Sequence, residues 1–210
     1  PLGIAAGPLL NGRWIRYYAA LGFDILTYKT VRSVRRACYD LPNLQPVRCG
    51  PMRGGERDLP ADDRVTDRWA VSFGMPSMHP EVWRADVQAT RRRLPAAKVL
   101  CVSVSASPQD QWSIDDVADD YARCAKWAVE SGADCVEANL SCPNLSTCEG
   151  HLYRNADVSR TVAERVRAAA GDAPVLLKIG HITSADDARA LVAAVAPHVD
   201  ALVMVNCIAA

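Results

Sequence analysis

Short apolar runs alternate with longer stretches of helical periodicity along this 210-residue chain. Six runs start near Leu2, Asp24, Lys98, Ala133, Pro174 and Asp200. Each is rich in Val, Leu, Ile or Ala and reads as a strand apolar on both faces, the pattern of a parallel sheet covered by helices. Residues 115–131 put Val117, Tyr121, Cys124 and Ala128 on one helical stripe. Ser113 before them, with Asp116 three residues on, makes a capping box, and Gly132 closes the helix. Residues 184–196 put Ala188, Leu191, Val192 and Val195 on one face behind Ser184 as cap. Gly22 and Gly171 mark two more helix ends, and another helix starts near Pro80.

A repeating βα pattern means a doubly wound sheet or a (β/α)8 barrel. Small or polar residues recur where the strands end: Gly7, Lys29, Ser103, Asn139, Lys178 and Asn206. Functional groups on that many strands favour the barrel, in which every strand points into one site, over the open sheet, in which only strands near the switch point do. A whole barrel takes roughly 250 residues. The expectation is therefore one α/β domain over 1–210, an incomplete TIM barrel with about six of eight βα units, truncated at both ends. A complete smaller α/β domain is the alternative. Residues 31–78 form a long connection with little periodicity, expected to be a loop insertion over the active site. A solvated or disordered excursion over 40–65 is the competing reading.

Composition narrows the partners. Half the residues are hydrophobic, enough for one real core, and 24 Lys+Arg balance 24 Asp+Glu. A formal charge of zero argues against nucleic acid or an anionic membrane as the main partner. No transmembrane run or signal peptide is visible; the chain opens at Pro1, without a Met, inside what reads as a strand. Eight cysteines occur with no Cys-x-x-Cys pair and no zinc spacing to a histidine. A reduced, cytoplasmic protein is the simplest account.

The candidate chemistry lies at the strand ends. Lys29 and Lys178 each close an apolar strand, where an ammonium can meet an anionic ligand; for Lys178 the bland alternative is pairing with a carboxylate at the barrel mouth. Ala5-Ala6-Gly7 are small enough to let a planar ring approach the backbone, though small residues also pack barrel cores. Cys142 sits in a loop, where its thiolate could act as a general base, whereas most cysteines simply pack. Asn139, Asn144 and Asn206 offer a donor and an acceptor each, suited to an imide-like edge, or serve as local turn caps. His79, His151, His181 and His198 have no metal spacing or triad partner.

The six residues Asn139-Leu140-Ser141-Cys142-Pro143-Asn144 are a hallmark of the dihydroorotate dehydrogenase family, which this chain resembles over nearly its whole length. The stretch from Thr27 to Ser33 also closely matches that family. The resemblance implies an FMN-dependent enzyme that oxidises dihydroorotate or a related dihydropyrimidine. Cys142 would take a proton from the ring while hydride passes to the flavin, and Lys29 would lie between flavin and substrate carboxylate. Asn139, Asn144, Asn206, Ser72, Gly74 and Met75 would bind substrate. Ala5, Ala6, Gly7, Lys29, Thr30, Asn139, Lys178 and Val205 would bind FMN, with Lys178 at the electron-rich end of its ring system. The cysteine implies the soluble branch, passing electrons to fumarate or, through a partner subunit, NAD, and a homodimer when full length. The FMN phosphate would sit on βα units seven and eight, so this stretch alone is expected to bind FMN weakly.

The departures from the family pattern fall on the substrate side. Val71 and Ser77 stand where the family has asparagines, and Cys207 where it commonly has a hydroxyl residue. These changes point to an altered substrate. Rival readings are a dihydropyrimidine dehydrogenase-like or tRNA dihydrouridine synthase-like flavoenzyme and a non-catalytic barrel scaffold. The shared expectation is that Cys142, Lys29 and Lys178 converge on one flat redox ring.

Overall fold

Capping residues set the frame of each βα unit. The structure, a computed structural model, describes residues 1–52, 58–65, 67–141 and 148–205. In chain order the elements are β1 (Gly3–Ile4), α1 (Gly12–Ala20), β2 (Ile25–Val31), β3 (Leu44–Pro46), β4 (Trp69–Val71), α2 (Pro80–Arg93), β5 (Val99–Val104), α3 (Ile114–Glu130), β6 (Cys135–Asn139), a 3-10 segment (Cys148–Arg154), α4 (Ala156–Ala170), β7 (Val175–Lys178), α5 (Ala185–Val195) and β8 (Ala201–Val203). Asn11 caps α1, Ser113 caps α3 through the expected reciprocal box with Asp116, Asn155 caps α4 and Ser184 caps α5.

Six strands make one parallel sheet in the order β1-β2-β5-β6-β7-β8, each beside its successor in the βα series. This is the run of neighbours expected of an incomplete (β/α)8 barrel. Helices α3, α4 and α5 pack in sequence along it. The core lies between sheet and helices, where Leu26, Leu100, Val102, Val104, Val136, Ala138, Val175 and Leu177 are all buried.

The opposite face of the sheet corrects one sequence expectation. The strands are not apolar on both faces. Thr27, Cys101 and Cys135 lie in one cross-strand row; Ser103, Glu137 and Leu176 form the next; Asn139 and Lys178 form the last. Apart from Leu176 these are polar or thiol side chains, and Thr27, Cys101, Ser103, Glu137, Asn139 and Lys178 are buried. Barrel interiors are usually filled with branched aliphatics, so this polar lining marks a working interior. Cys101 and Cys135 are free thiols facing one another across β5 and β6, and the neighbouring Cys135 and burial push the Cys101 thiol up.

At the amino ends of the strands one device repeats three times. Asp24 accepts the Leu2 N–H (3.0 Å) and the Lys98 ammonium (2.9 Å). Asp134 accepts the Leu100 N–H (2.7 Å) and the Arg91 guanidinium (2.6 Å). Asp200 accepts the Val175 N–H (2.7 Å) and pairs with Arg167. Each aspartate precedes its own strand, bonds the start of the strand before it and binds a cation. Strand register is thereby pinned at that edge.

The 31–78 connection carries structure that its weak periodicity hides. β3 and β4 pair antiparallel, Arg36 bridges Ser77, and Val47 bridges Ala61. Both limbs of the excursion are thus tied together where they leave and rejoin the barrel.

Candidate active site

Because all six sheet strands are parallel, the residues that end them share one edge. Ala5 to Gly7 follow β1, Lys29 and Thr30 close β2, Asn139 closes β6, Lys178 closes β7 and Val205 follows β8. The contacts among them are specific. Asn139 Nδ2 donates to Thr30 Oγ1 at 3.2 Å and to Met75 Sδ at 3.8 Å, and its Oδ1 accepts the Ser141 N–H at 3.1 Å. Thr30 shares a 2.9 Å hydroxyl contact with Ser103, and the Tyr121 hydroxyl holds the Asn139 carbonyl at 2.8 Å. Asn139 stands directly opposite Lys178 in the β6–β7 register, and Lys178 Nζ reaches across to the Ala6 carbonyl at 3.4 Å. That contact links the carboxyl ends of β1 and β7.

Lys29 sits at a β-bulge between Tyr28 and Val31; its N–H bonds the Leu9 carbonyl at 2.8 Å and its ammonium lies 5.5 Å from the centre of the Phe73 ring. It also borders an open cleft of about 340 Å³ shared with Arg35, Arg36, Ser77, Met78 and Trp83. Phe73 belongs to the 71–77 segment. There Ser72 is exposed, its N–H bonded to Asn43, while Gly74 and Met75 are buried with φ of 71° and 51°. A Cβ on Gly74 would stand 2.6 Å from the Tyr39 ring, so only glycine fits this left-handed turn.

The departures from the family pattern have a structural counterpart. Val71 ends β4 with its side chain partly exposed. Ser77 is turned inward: its hydroxyl accepts the Arg32 N–H and donates to the Met78 carbonyl, both at 3.0 Å. Its hydroxyl is thus taken up in supporting the chain, although the residue borders the cleft.

Four expected site residues, Cys142, Asn144, Asn206 and the departure Cys207, lie outside the described residues. The described neighbour Ser141 is buried and held by Asn139. Thr30, Asn139, Lys178, Ala6 and Met75 are brought together; Lys29, beside Thr30 in β2, turns to Phe73, and Ala5, Gly7, Ser72 and Val205 are exposed.

Three groups that support the site went unassigned in the sequence. Arg32 is fully buried and donates to the Met75 and Ala106 carbonyls, tying the 71–77 segment to the end of β5. Asp120 of α3 is also fully buried and accepts from Ser33 (2.7 Å), the Ser107 N–H (2.8 Å) and Arg123 (2.9 Å). Glu137 is 2 % exposed and its Oε1 has no hydrogen-bond partner among the described residues. Burial pushes the Glu137 carboxyl up from its ordinary value, against the charge of Lys178 and the hydroxyl of Ser103. For Glu137 a signal was present: Cys135, Glu137, Asn139 and Ser141 put a polar group at every second position of β6 and its extension.

Comparison with known proteins agrees with this geometry. The family model described as dihydroorotate dehydrogenase matches residues 60–210. A dihydroorotate dehydrogenase of Dictyostelium discoideum is 30 % identical over 198 residues, covering 86 % of this chain and 51 % of its own length. The chain thus spans about half the length of that curated relative. Crystal structures of DHODH from Eimeria tenella, one in complex with ferulenol and one ligand-free, superpose with TM-scores of 0.73 over 98 % of this chain and 56 % and 58 % of theirs. At 16 % and 15 % identity those two speak to the fold alone. No helix among the described residues is long and apolar enough to cross a membrane. By the family model over residues 60–210 and the relative matched over 86 % of this sequence, the chain belongs to the dihydroorotate dehydrogenase family.

Proposed function

We propose that this chain forms the catalytic part of an FMN-dependent oxidoreductase that oxidises a cyclic dihydropyrimidine, dihydroorotate or a close relative. The observation that carries the reading is the joined edge Thr30–Asn139–Lys178–Ala6, linked by hydrogen bonds and strand register.

The residues present fit a flavin. The end of β1 is a bare backbone shelf, since a Cβ on Gly7 would meet no atom within 4 Å. Lys178 is buried yet has one hydrogen bond among the described residues, and an ammonium has three N–H groups to give. When bound, FMN supplies the acceptor for the electron pair of a C–H bond. Lys178 then keeps positive charge at the ring's electron-rich end. Thr30 and Asn139 hold one another in place at the cofactor edge. Lys29, steadied over Phe73, offers its charge to an anionic substrate group. Cys142 is assigned as the base that removes a ring proton; Asn144 and Asn206 bond the imide edge, and Ser72, Gly74 and Met75 form the facing wall. The free thiols at Cys38, Cys49, Cys101, Cys124 and Cys135 accord with a reduced, cytoplasmic setting. A soluble electron acceptor and a homodimer complete the reading.

The committed hydroxyl of Ser77 and the apolar Val71 leave that wall short of hydrogen-bonding groups. A site lacking such groups discriminates differently among rings, so we assign a preferred substrate related to, but distinct from, dihydroorotate. The complete protein, purified and assayed with a dye acceptor, is expected to be yellow and to turn over dihydroorotate poorly. Cys142→Ser is expected to keep the flavin and slow its reduction by roughly 10²–10⁴-fold. A colourless protein that takes up no FMN ends the flavoenzyme reading; rapid dihydroorotate turnover ends the altered-substrate part of it.

A further inference from the structure

Two oppositely charged side chains share the buried inner face of the sheet. Glu137 is 2 % and Lys178 4 % exposed. Glu137 stands in the row of Ser103 and Leu176, and Lys178 one row nearer the strand ends on the adjacent strand. The two are diagonal neighbours, a spacing that long side chains span. They do not form a close ion pair: the ammonium bonds the Ala6 carbonyl at 3.4 Å, and Glu137 Oε1 has no partner among the described residues. Beneath them lie the Cys101 and Cys135 thiols, each of which feels the Glu137 charge. Among the described groups of this face, then, Lys178 is the cation that answers the carboxylate. A lone buried charge is costly, and two opposite ones on one face relieve each other.

The geometry points to Glu137 as a positioning residue that acts through Lys178: the carboxylate beneath the ammonium sets its orientation and partly cancels its field, so that the pair, and not the lysine alone, fixes the charge presented to the ring. This rests on the reading of Lys178 as the ring-facing cation. Glu137 itself lies one row farther from the strand ends and is assigned no contact with substrate or cofactor.

The consequence is a shift in reduction potential. Glu137→Gln keeps the shape of the side chain and removes its charge, leaving the Lys178 ammonium uncompensated. In the complete FMN-loaded protein, the ratio of reduced to oxidised flavin at a fixed poise is expected to rise about tenfold, which is about 30 mV for a two-electron couple. On a Lys178→Gln background the same substitution is expected to change nothing, since the group it acts through is gone. A structural role for Glu137 would not produce that dependence. A second measurement needs no flavin. The carboxyl stretch of Glu137, identified by its loss in Glu137→Gln, can be titrated by difference infrared spectroscopy, and Lys178→Gln is expected to move that titration to higher pH. An unchanged potential in Glu137→Gln, or a Glu137 titration indifferent to Lys178→Gln, overturns the inference. A wild-type protein that takes up no FMN but still shows the infrared shift overturns the flavin reading and leaves the pair standing.

Discussion

The two edges of the sheet hold their charges in opposite ways. At the amino edge, Asp24, Asp134 and Asp200 are partly exposed, and each is matched to a backbone N–H and a cation on its own doorstep. At the carboxyl edge and just inside it, Lys178, Glu137 and Arg32 are buried; the first two have no close ionic partner among the described residues, and the third donates to backbone carbonyls. One edge uses charge to fix register in water, where each pair adds little alone. The other keeps charge in a low-dielectric interior, where it is felt strongly by whatever sits nearby. In (β/α)8 barrels the first arrangement belongs to stability and the second to chemistry.

The comparison can be broken most forcefully at Arg32. Arg32→Met leaves the Met75 and Ala106 carbonyls buried without their donor. Each such loss costs about 1–3 kcal/mol, so a destabilisation on the order of 3 kcal/mol is expected in a urea denaturation series. A midpoint unmoved by the change would mean that the carboxyl edge tolerates loss of its buried charge. Gly74→Ala tests the same edge more gently. Its φ of 71° and the Tyr39 ring in the way of a Cβ predict a loss of roughly 1–2 kcal/mol, together with weaker substrate binding as the 71–77 segment shifts.

The smallest effect has opposite signs at the two edges. A backbone hydrogen bond from Val175 and then Arg167 lower the Asp200 carboxyl below its ordinary 3.8; Lys98 and Leu2 do the same for Asp24. A depressed folded value contributes stability that is present above the unfolded value and lost as pH falls through the folded one. Glu137 is raised above its ordinary 4.5. Its stability contribution is full below that value and fades as pH rises through the folded value. Plotted against pH, the denaturation midpoint of Asp200→Asn should therefore decline less than wild type on the acid side. That of Glu137→Gln should decline less on the side above 4.5. Parallel curves for both variants would erase the distinction between the edges.

Much of the frame was legible because it is written in local chemistry. The six strand starts agree with the structure within one or two residues, since apolar runs sit between Gly-terminated helices. The Ser113–Asp116 box and the Ser184 cap appear as read. The ribbon β3–β4 was not legible: its strands are three residues each, one of them Leu-Gln-Pro, and they lie far apart in the chain. Arg32 could not be singled out among the arginines of that stretch, because what buries it is a pair of carbonyls set by tertiary structure. The aspartate latches left a trace in Gly22-Phe23-Asp24 and Gly132-Ala133-Asp134, where an acidic residue follows a helix end by a fixed step. In the site, Lys29, Asn139 and Lys178 were visible as polar residues closing apolar strands. Glu137 was hidden because its segment reads as apolar unless every second residue is taken separately.

The bulge in β2 has a consequence for how this edge could have arisen. From Tyr28 to Val31 the strand takes three steps while β5 takes two, from Val102 to Val104. That single surplus residue lets Thr30 turn toward Ser103 and Asn139 while Val31 still faces the helices, and it frees Lys29 from the ladder to bond Leu9 instead. Deleting one residue here would spare the hydrophobic packing on either side and yet rob the edge of one of its two polar groups. Without the surplus residue, lysine and threonine can no longer serve the same rim.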